Sequence, residues 1–248
     1  MKNNFLFTYI IPFRYNRTNL VNLRRVLDWL SGFSQLEVIV VEQDKSEKLR
    51  TFSLKGFKHI FTESHLAFNK GWAYNVGVKY STTPSLIFGD SQTKMDPNKM
   101  IESLKLLQQY ESVNATSEVI ELTHTEMDLG FDMLNQINRK SNKTVFTHGI
   151  TIYRRDVINK LGGWPEEFIG STGIDEFQSK KTEEITTHIQ CENKAFVFPH
   201  SPINENKFLK KRNEDLLAKM LPMTSHDIGK YVNNTYPRIG LKMRFVDK

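Results

Sequence analysis

An apolar run, Ser85-Leu86-Ile87-Phe88, stops on Gly89 and a carboxylate, Asp90, and Gln92 follows two residues later. A strand that delivers one acid to a ligand at its end would stop in this way, with Gly89 permitting the ligand's close approach. Aspartate is a hard oxygen donor suited to Mg²⁺ or Mn²⁺. The amide of Gln92 can also ligate, but it brings no charge. A second cluster, Pro12-Phe13-Arg14-Tyr15-Asn16-Arg17, follows the first apolar run, and a third, Glu42-Gln43-Asp44, ends another. Arg14 and Arg17 can neutralise clustered negative charge, or can simply be solvated arginines beyond a strand. Glu42 and Asp44 can accept hydrogen bonds from a polar ligand. Asp175, behind Gly170 and Gly173, heads a helical segment. An N-cap is the default role for an aspartate there, and a base taking a proton from a hydroxyl is the chemical one. Glu176 stands next to it in reserve. His200 closes the run "KAFVFPH", with Asn204-Glu205-Asn206 just beyond.

These groups meet only if the elements bearing them share one edge. "FLFTYII", "LEVIVVE", "FKHIFTE" and "SLIFGD" read as strands. "TNLVNLRRVLDWL", capped at Thr18 or Asn19, "AFNKGWAYNVGVKYS" and "PNKMIESLKLLQQY" read as helices between and after them. The β-α-β order predicts an α/β fold with a mixed, mostly parallel sheet and flanking helices. Ligands of such open sheets bind beyond the carboxyl ends of the strands. The glycines of the second helix, Gly71 and Gly77, predict close packing. "IDEFQSKKTEEITTHIQ" and "NKFLKKRNEDLLAKML" read as further helices, and the stretch from Pro222 onward reads as a mixed tail. One domain over residues 1–205 with a helical C-terminal extension over 206–248 is the expected organisation.

The 248 residues contain no apolar stretch of the ~20 residues needed to span a bilayer. One cysteine, Cys191, rules out an internal disulfide framework and fits a reducing, cytoplasmic setting. A formal charge of +6 favours anionic partners.

Six segments carry a family resemblance: "YIIPFRYNRTNLVNLRRVLDWL", "FNKGWAYNVGVKYS", "LIFGDSQ", "GITIYRRDVINKLGGWPEEFIG", "GIDEF" and "HSPINEN". Their order resembles that of GT-A type nucleotide-sugar glycosyltransferases, above all the family-two enzymes and the β-galactosyltransferase-like group. The resemblance implies an inverting hexosyl- or pentosyltransferase that takes a sugar from a UDP-sugar donor. On it, Pro12, Phe13, Arg14, Arg17, Glu42 and Asp44 line the nucleotide pocket, and Asn69, Lys70 and Gly71 lie beside the diphosphate. Asp90 falls on the first acid of the Asp-x-Asp motif, His200 on the late metal-site histidine, and Asp175 on the catalytic base. Mn²⁺ or Mg²⁺ held by Asp90, Gln92 and His200 would assist diphosphate departure.

This sequence departs from the family pattern at Gln92 and at Ile174, where the family has acids. If the metal is dispensable, Arg14, Arg17 and Lys70 are its substitutes; a metal is the favoured expectation. Trp164 and Glu176 are the expected acceptor contacts, with the core as the competing place for Trp164. The acceptor is expected to be a saccharide or another hydroxyl. A hydroxylated base in DNA is a second possibility, carried by Lys207, Lys210, Lys211 and Arg212. A degenerate module that binds nucleotide or glycan without turnover is the third.

Overall fold

The computed structural model describes residues 6–139, 142–143, 145–170, 172–200 and 206–235, with 142, 143 and 235 described by their backbone. In chain order the elements are β1 (Phe7–Phe13), α1 (Arg17–Leu30), β2 (Leu36–Asp44), β3 (Lys58–Glu63), α2 (Lys70–Tyr80), β4 (Ser85–Phe88), β5 (Thr93–Met95) and α3 (Pro97–Lys105). They continue with β6 (Ser112–Asn114), β7 (Glu118–Glu121), α4 (Phe131–Asn135), β8 (Asn142–Lys143), β9 (Thr151–Arg154) and α5 (Arg155–Lys160). The last are α6 (Ile174–Ile185), β10 (His188–Gln190), β11 (Lys194–Val197), α7 (Lys207–Met220) and α8 (Ser225–Thr235).

Among the described residues, seven strands form the main sheet in the order β10-β6-β9-β4-β1-β2-β3. All its pairings are parallel except those of β9, which runs against both β4 and β6. The expected mostly parallel sheet is therefore present. Strands β1 and β2 are buried on both faces, which explains their unbroken apolar runs. A second sheet, β5-β11-β7-β8, was not foreseen. Its strands have at most four residues each, too short for a period of two to stand out.

Helix α1 is capped by Asn16 rather than by Thr18 or Asn19: the Asn16 side chain accepts the Asn19 N–H at 2.7 Å. Its stripe of Leu20, Leu23, Val26, Leu27 and Leu30 is buried against one face of the sheet together with Tyr9, Ile11 and Val40. Helix α2 packs on the opposite face with Ile10, Ile39 and Val41. Its glycines are there for contact distance. A Cβ on Gly77 would lie 2.2 Å from the Ile10 side chain, and one on Gly71 would lie 2.5 Å from the Pro165 carbonyl oxygen. Helices α7 and α8 close over α6. Asn213 donates to the Ile169 carbonyl at 2.8 Å, and the Tyr231 ring meets Phe177 edge-on at 5.4 Å. Helix α8 lies inside the stretch that the sequence leaves as a mixed tail. Its buried Ile228 and Val232 supply the missing apolar stripe.

Candidate active site

The site lies where β1, β2 and β4 end and α2 and α6 begin. Asn69 caps α2 and ties three segments together. Its side chain accepts the Trp72 N–H at 2.9 Å and donates to the Glu166 carbonyl at 2.7 Å, while its own N–H donates to Gln43 Oε1 at 2.6 Å. Buried Asn75, further along α2, donates to the Trp164 carbonyl and accepts the Trp164 N–H, both at 2.8 Å. The 164–166 segment is thus fixed to α2, and Lys70, the first residue of that helix, is fixed with it.

Lys70 Nζ lies 3.3 Å from Asp90 Oδ2 and 3.3 Å from Asp175 Oδ1. One ammonium therefore bridges the acid at the end of β4 and the acid in the first turn of α6. The other Asp90 oxygen accepts the Tyr74 hydroxyl at 3.2 Å. His148 Nε2 stands 3.9 Å from Asp175 Oδ2. The backbone of Asp175 is held by Thr147, whose Oγ1 donates to its carbonyl at 2.7 Å. Burial pushes the Asp175 carboxyl above the usual carboxylate range, with Lys70 and His148 pulling the other way and Asp90 adding to the rise. Burial also works against the Lys70 charge, but Asp175 and Asp90 outweigh it, and the ammonium holds its proton more tightly than an ordinary lysine. Asp175 does not act as an N-cap. That position is Gly173, at φ +88°.

Gly89 has a different reason from the one expected. A Cβ there would meet the Tyr9 hydroxyl at 1.9 Å, so the close neighbour is a core tyrosine beneath the site. That buried hydroxyl has no hydrogen-bond partner among the described residues.

The other expected site residues divide. Pro12 and Phe13 are buried at the end of β1. Arg14 reaches across to the β2–β3 side, donating to the Gln43 carbonyl at 3.2 Å and the Leu66 carbonyl at 2.6 Å. Burial lowers its pKa, partly offset by nearby Asp44. Arg17 is exposed in the first turn of α1. Glu176 is half-buried beside Asp175.

Glu42 corrects its expectation. Its carboxylate is fully buried and accepts the Lys48 and Leu49 N–H groups and a hydrogen bond with His59 at 2.8 Å. It ties down the loop after β2 and has no exposed edge for a nucleotide. Trp164 is also core. At 1 % exposure it packs on Tyr74 at 4.6 Å and Phe88 at 5.4 Å, so it presents no open face to a sugar. The basic run on α7 is no continuous phosphate track either. Lys211 pairs with Asp215, and Arg212 donates to the Glu167 carbonyl.

The acid of the expected metal set is already engaged by other side chains. The Gln92 backbone carbonyl accepts the Phe198 N–H at 2.8 Å, which brings the approach to His200 alongside the 90–92 turn. His200 Nδ1 itself lies 3.3 Å from the Phe198 carbonyl. Both Asp90 oxygens are engaged by Lys70 and Tyr74, and an ammonium is a poor neighbour for a dication. Among the described residues no three His, Cys, Asp or Glu side chains are grouped to hold a metal ion. Asn204 and Glu205 lie outside the described residues.

His148 escaped the sequence reading because it lies in a loop, "FTHGI", one residue before the segment that carries the resemblance. Its only signal is that the strand after it runs backwards, which places the beginning of β9 at the edge where β4 ends.

No protein-family profile matches this sequence, and no curated protein matches it. Solved structures do. Residues 1–349 of S. aureus TarS in complex with UDP-GlcNAc superpose with a TM-score of 0.56 at 14 % identity, covering 93 % of this chain and 72 % of that one. GalNAc-T7 with UDP, GalNAc and Mn²⁺ gives 0.60 at 12 % identity, covering 100 % of this chain and 53 % of that one. The fold is that of a GT-A glycosyltransferase. Within the GT-A fold the Lys70–Asp90–Asp175 cluster lies at the carboxyl edge of the sheet, where open α/β folds bind ligands. Among the described residues no helix is long and apolar enough to cross a membrane.

Proposed function

We propose that this chain transfers a hexose or pentose from a UDP-sugar to a hydroxyl acceptor, with inversion. The observation that carries the reading is the convergence of Asp90 and Asp175 on one ammonium at the strand ends. TarS and GalNAc-T7, whose solved structures hold UDP-GlcNAc and UDP respectively, support a uridine nucleotide donor. Asp175 is the proposed general base. It accepts the proton of the incoming hydroxyl as that oxygen attacks the anomeric carbon, and the raised proton affinity produced by burial suits this task. The bond from the anomeric carbon to the diphosphate breaks with its electron pair leaving on the phosphate oxygen. A single base opposite the leaving group implies one displacement and therefore inversion. Arg14 and Asp44, on the β2–β3 side, are the proposed contacts to the nucleoside rather than to the reacting bond.

A saccharide is the proposed acceptor. Ile174 is buried, so acceptor contacts come from Glu176 and His148 instead of the acid usual at position 174 in the family. The GalNAc-T7 structure supports a divalent ion in a related fold. The donors around Asp90 in this chain do not support one, and no step above passes through it.

The test is UDP release from a panel of UDP-sugars, with and without mono- and oligosaccharide acceptors. Turnover with one of them that is lost in Asp175→Asn supports transfer. The binding-only reading, favoured by Gln92 and Ile174, predicts UDP binding with no release from any donor.

A further inference from the structure

The disagreement between the expected metal site and the residues present has a specific form, because a cation already stands where the two acids converge. We propose that the Lys70 ammonium performs the charge stabilisation otherwise given to a divalent ion, so that this chain binds its nucleotide diphosphate without a metal. The inference rests on the UDP-sugar reading above.

Four observations carry it. Lys70 Nζ is within 3.3–3.4 Å of three carboxylate oxygens from two separate elements. Its side chain is 16 % exposed, so it meets a ligand largely out of water, where one charge counts for more. It is rigidly mounted: Asn69 caps α2 and is itself tied to β2 and to the 164–166 segment. The helix N-terminus behind it adds a partial positive charge of the same sense.

The remaining expected ligands are weak in the same direction. Gln92 is uncharged, and the second Asp90 oxygen is committed to Tyr74. When the diphosphate arrives, the ammonium exchanges its carboxylate contacts for phosphate oxygens. That exchange frees the Asp175 carboxylate to accept the acceptor's proton, so donor binding and base availability are coupled through one side chain. In the transfer step the N–H bonds of Lys70 meet the negative charge that develops on the departing phosphate oxygen. Arg14 cannot stand in for it, since its guanidinium is held on the β2–β3 side by two carbonyls.

The test is calorimetric titration of UDP into the full chain, in excess EDTA and then in Mn²⁺. The expected dissociation constants agree within about threefold, Lys70→Ala weakens UDP at least ~10-fold in both buffers, and Lys70→Arg retains most of the affinity. Thermal melts of the variants show whether each is folded, and Lys70→Gln replaces Lys70→Ala if the latter is not. Affinity in the unmodified chain that rises more than ~10-fold with Mn²⁺ overturns the proposal while leaving the donor assignment standing. Lys70 variants that bind UDP as tightly as the parent also overturn it. Absence of UDP binding in either buffer overturns the donor assignment, and this proposal with it.

Discussion

Lys181, on α6, tests how the segment leading into the site is held. Its side chain is fully buried, and Nζ donates to the Leu161 carbonyl at 3.0 Å and the Gly163 carbonyl at 2.7 Å, between the rings of Phe177 and Tyr231. Burial lowers its pKa to about 7 from the ordinary 10.5, with Glu167 opposing. Between those two values the unfolded chain binds the proton more readily than the folded one. Stability therefore rises with pH across that window, and the contribution is lost as pH falls through about 7. The slope is at most ~1.4 kcal/mol per pH unit. Between pH 7 and 9 the gain is thus roughly 2–3 kcal/mol, or about 5–10 °C in Tm for a chain of this size. Lys181→Met keeps the volume and removes the titration, at a cost of roughly 1–3 kcal/mol for each carbonyl left without a donor. Urea unfolding of both proteins at pH 7, 8 and 9 isolates the term, because all other titrating groups are shared. The parent should gain stability relative to the variant as pH rises. Parallel profiles would mean instead that the amine is solvated or charged throughout.

Asp175→Asn should lower the rate of sugar transfer by ~10²–10⁴-fold, the usual contribution of a general base, with UDP affinity within severalfold of the parent. The rate of the parent should fall on the acid side with a midpoint above the ordinary carboxylate value of 3.8, since burial raises the proton affinity of Asp175 and only the deprotonated form accepts a proton. A pH–rate profile with its acid limb at or below that value would count against this base. Glu42→Ala should destabilise the fold by ~3 kcal/mol in urea melts, because it strands the buried Leu49 N–H, the part-buried Lys48 N–H and His59. Gly71→Ala should cost ~1–3 kcal/mol by overpacking against the Pro165 carbonyl and should weaken UDP binding by displacing the start of α2. A melt and an isotherm unchanged from the parent would contradict that packing.

The long elements were legible because their patterns are set by burial. The apolar runs of β1 and β2 and the leucine stripe of α1 leave little choice of fold class. Of the residues expected beyond the strand ends, Asp90 meets Lys70 and Asp175, which come instead from the starts of α2 and α6. Individual roles were harder to read, because a carboxylate looks the same in sequence whether its partners are a ligand or two backbone amides. Glu42 belongs to the second case, and only tertiary contact with the 48–49 turn and His59 decides it. Trp164 is similar, since its neighbours Tyr74 and Phe88 come from distant elements. His148 has no local pattern, and its relevance depends on the direction of β9, which a four-residue strand does not reveal.

The reversed course of β9 has an evolutionary consequence. Strands β1 and β4 run parallel and present their exits to the reaction edge, so altering the loops behind those exits disturbs helices packed across the whole sheet. β9 presents its entrance, so the side chain at position 148 can be exchanged while the ladder beyond stays in register. Position 148, whose side chain is partly exposed beside Asp175, is thus a natural place for descendants of this scaffold to acquire new substrate preferences, while buried Phe146 and Thr147 keep the frame.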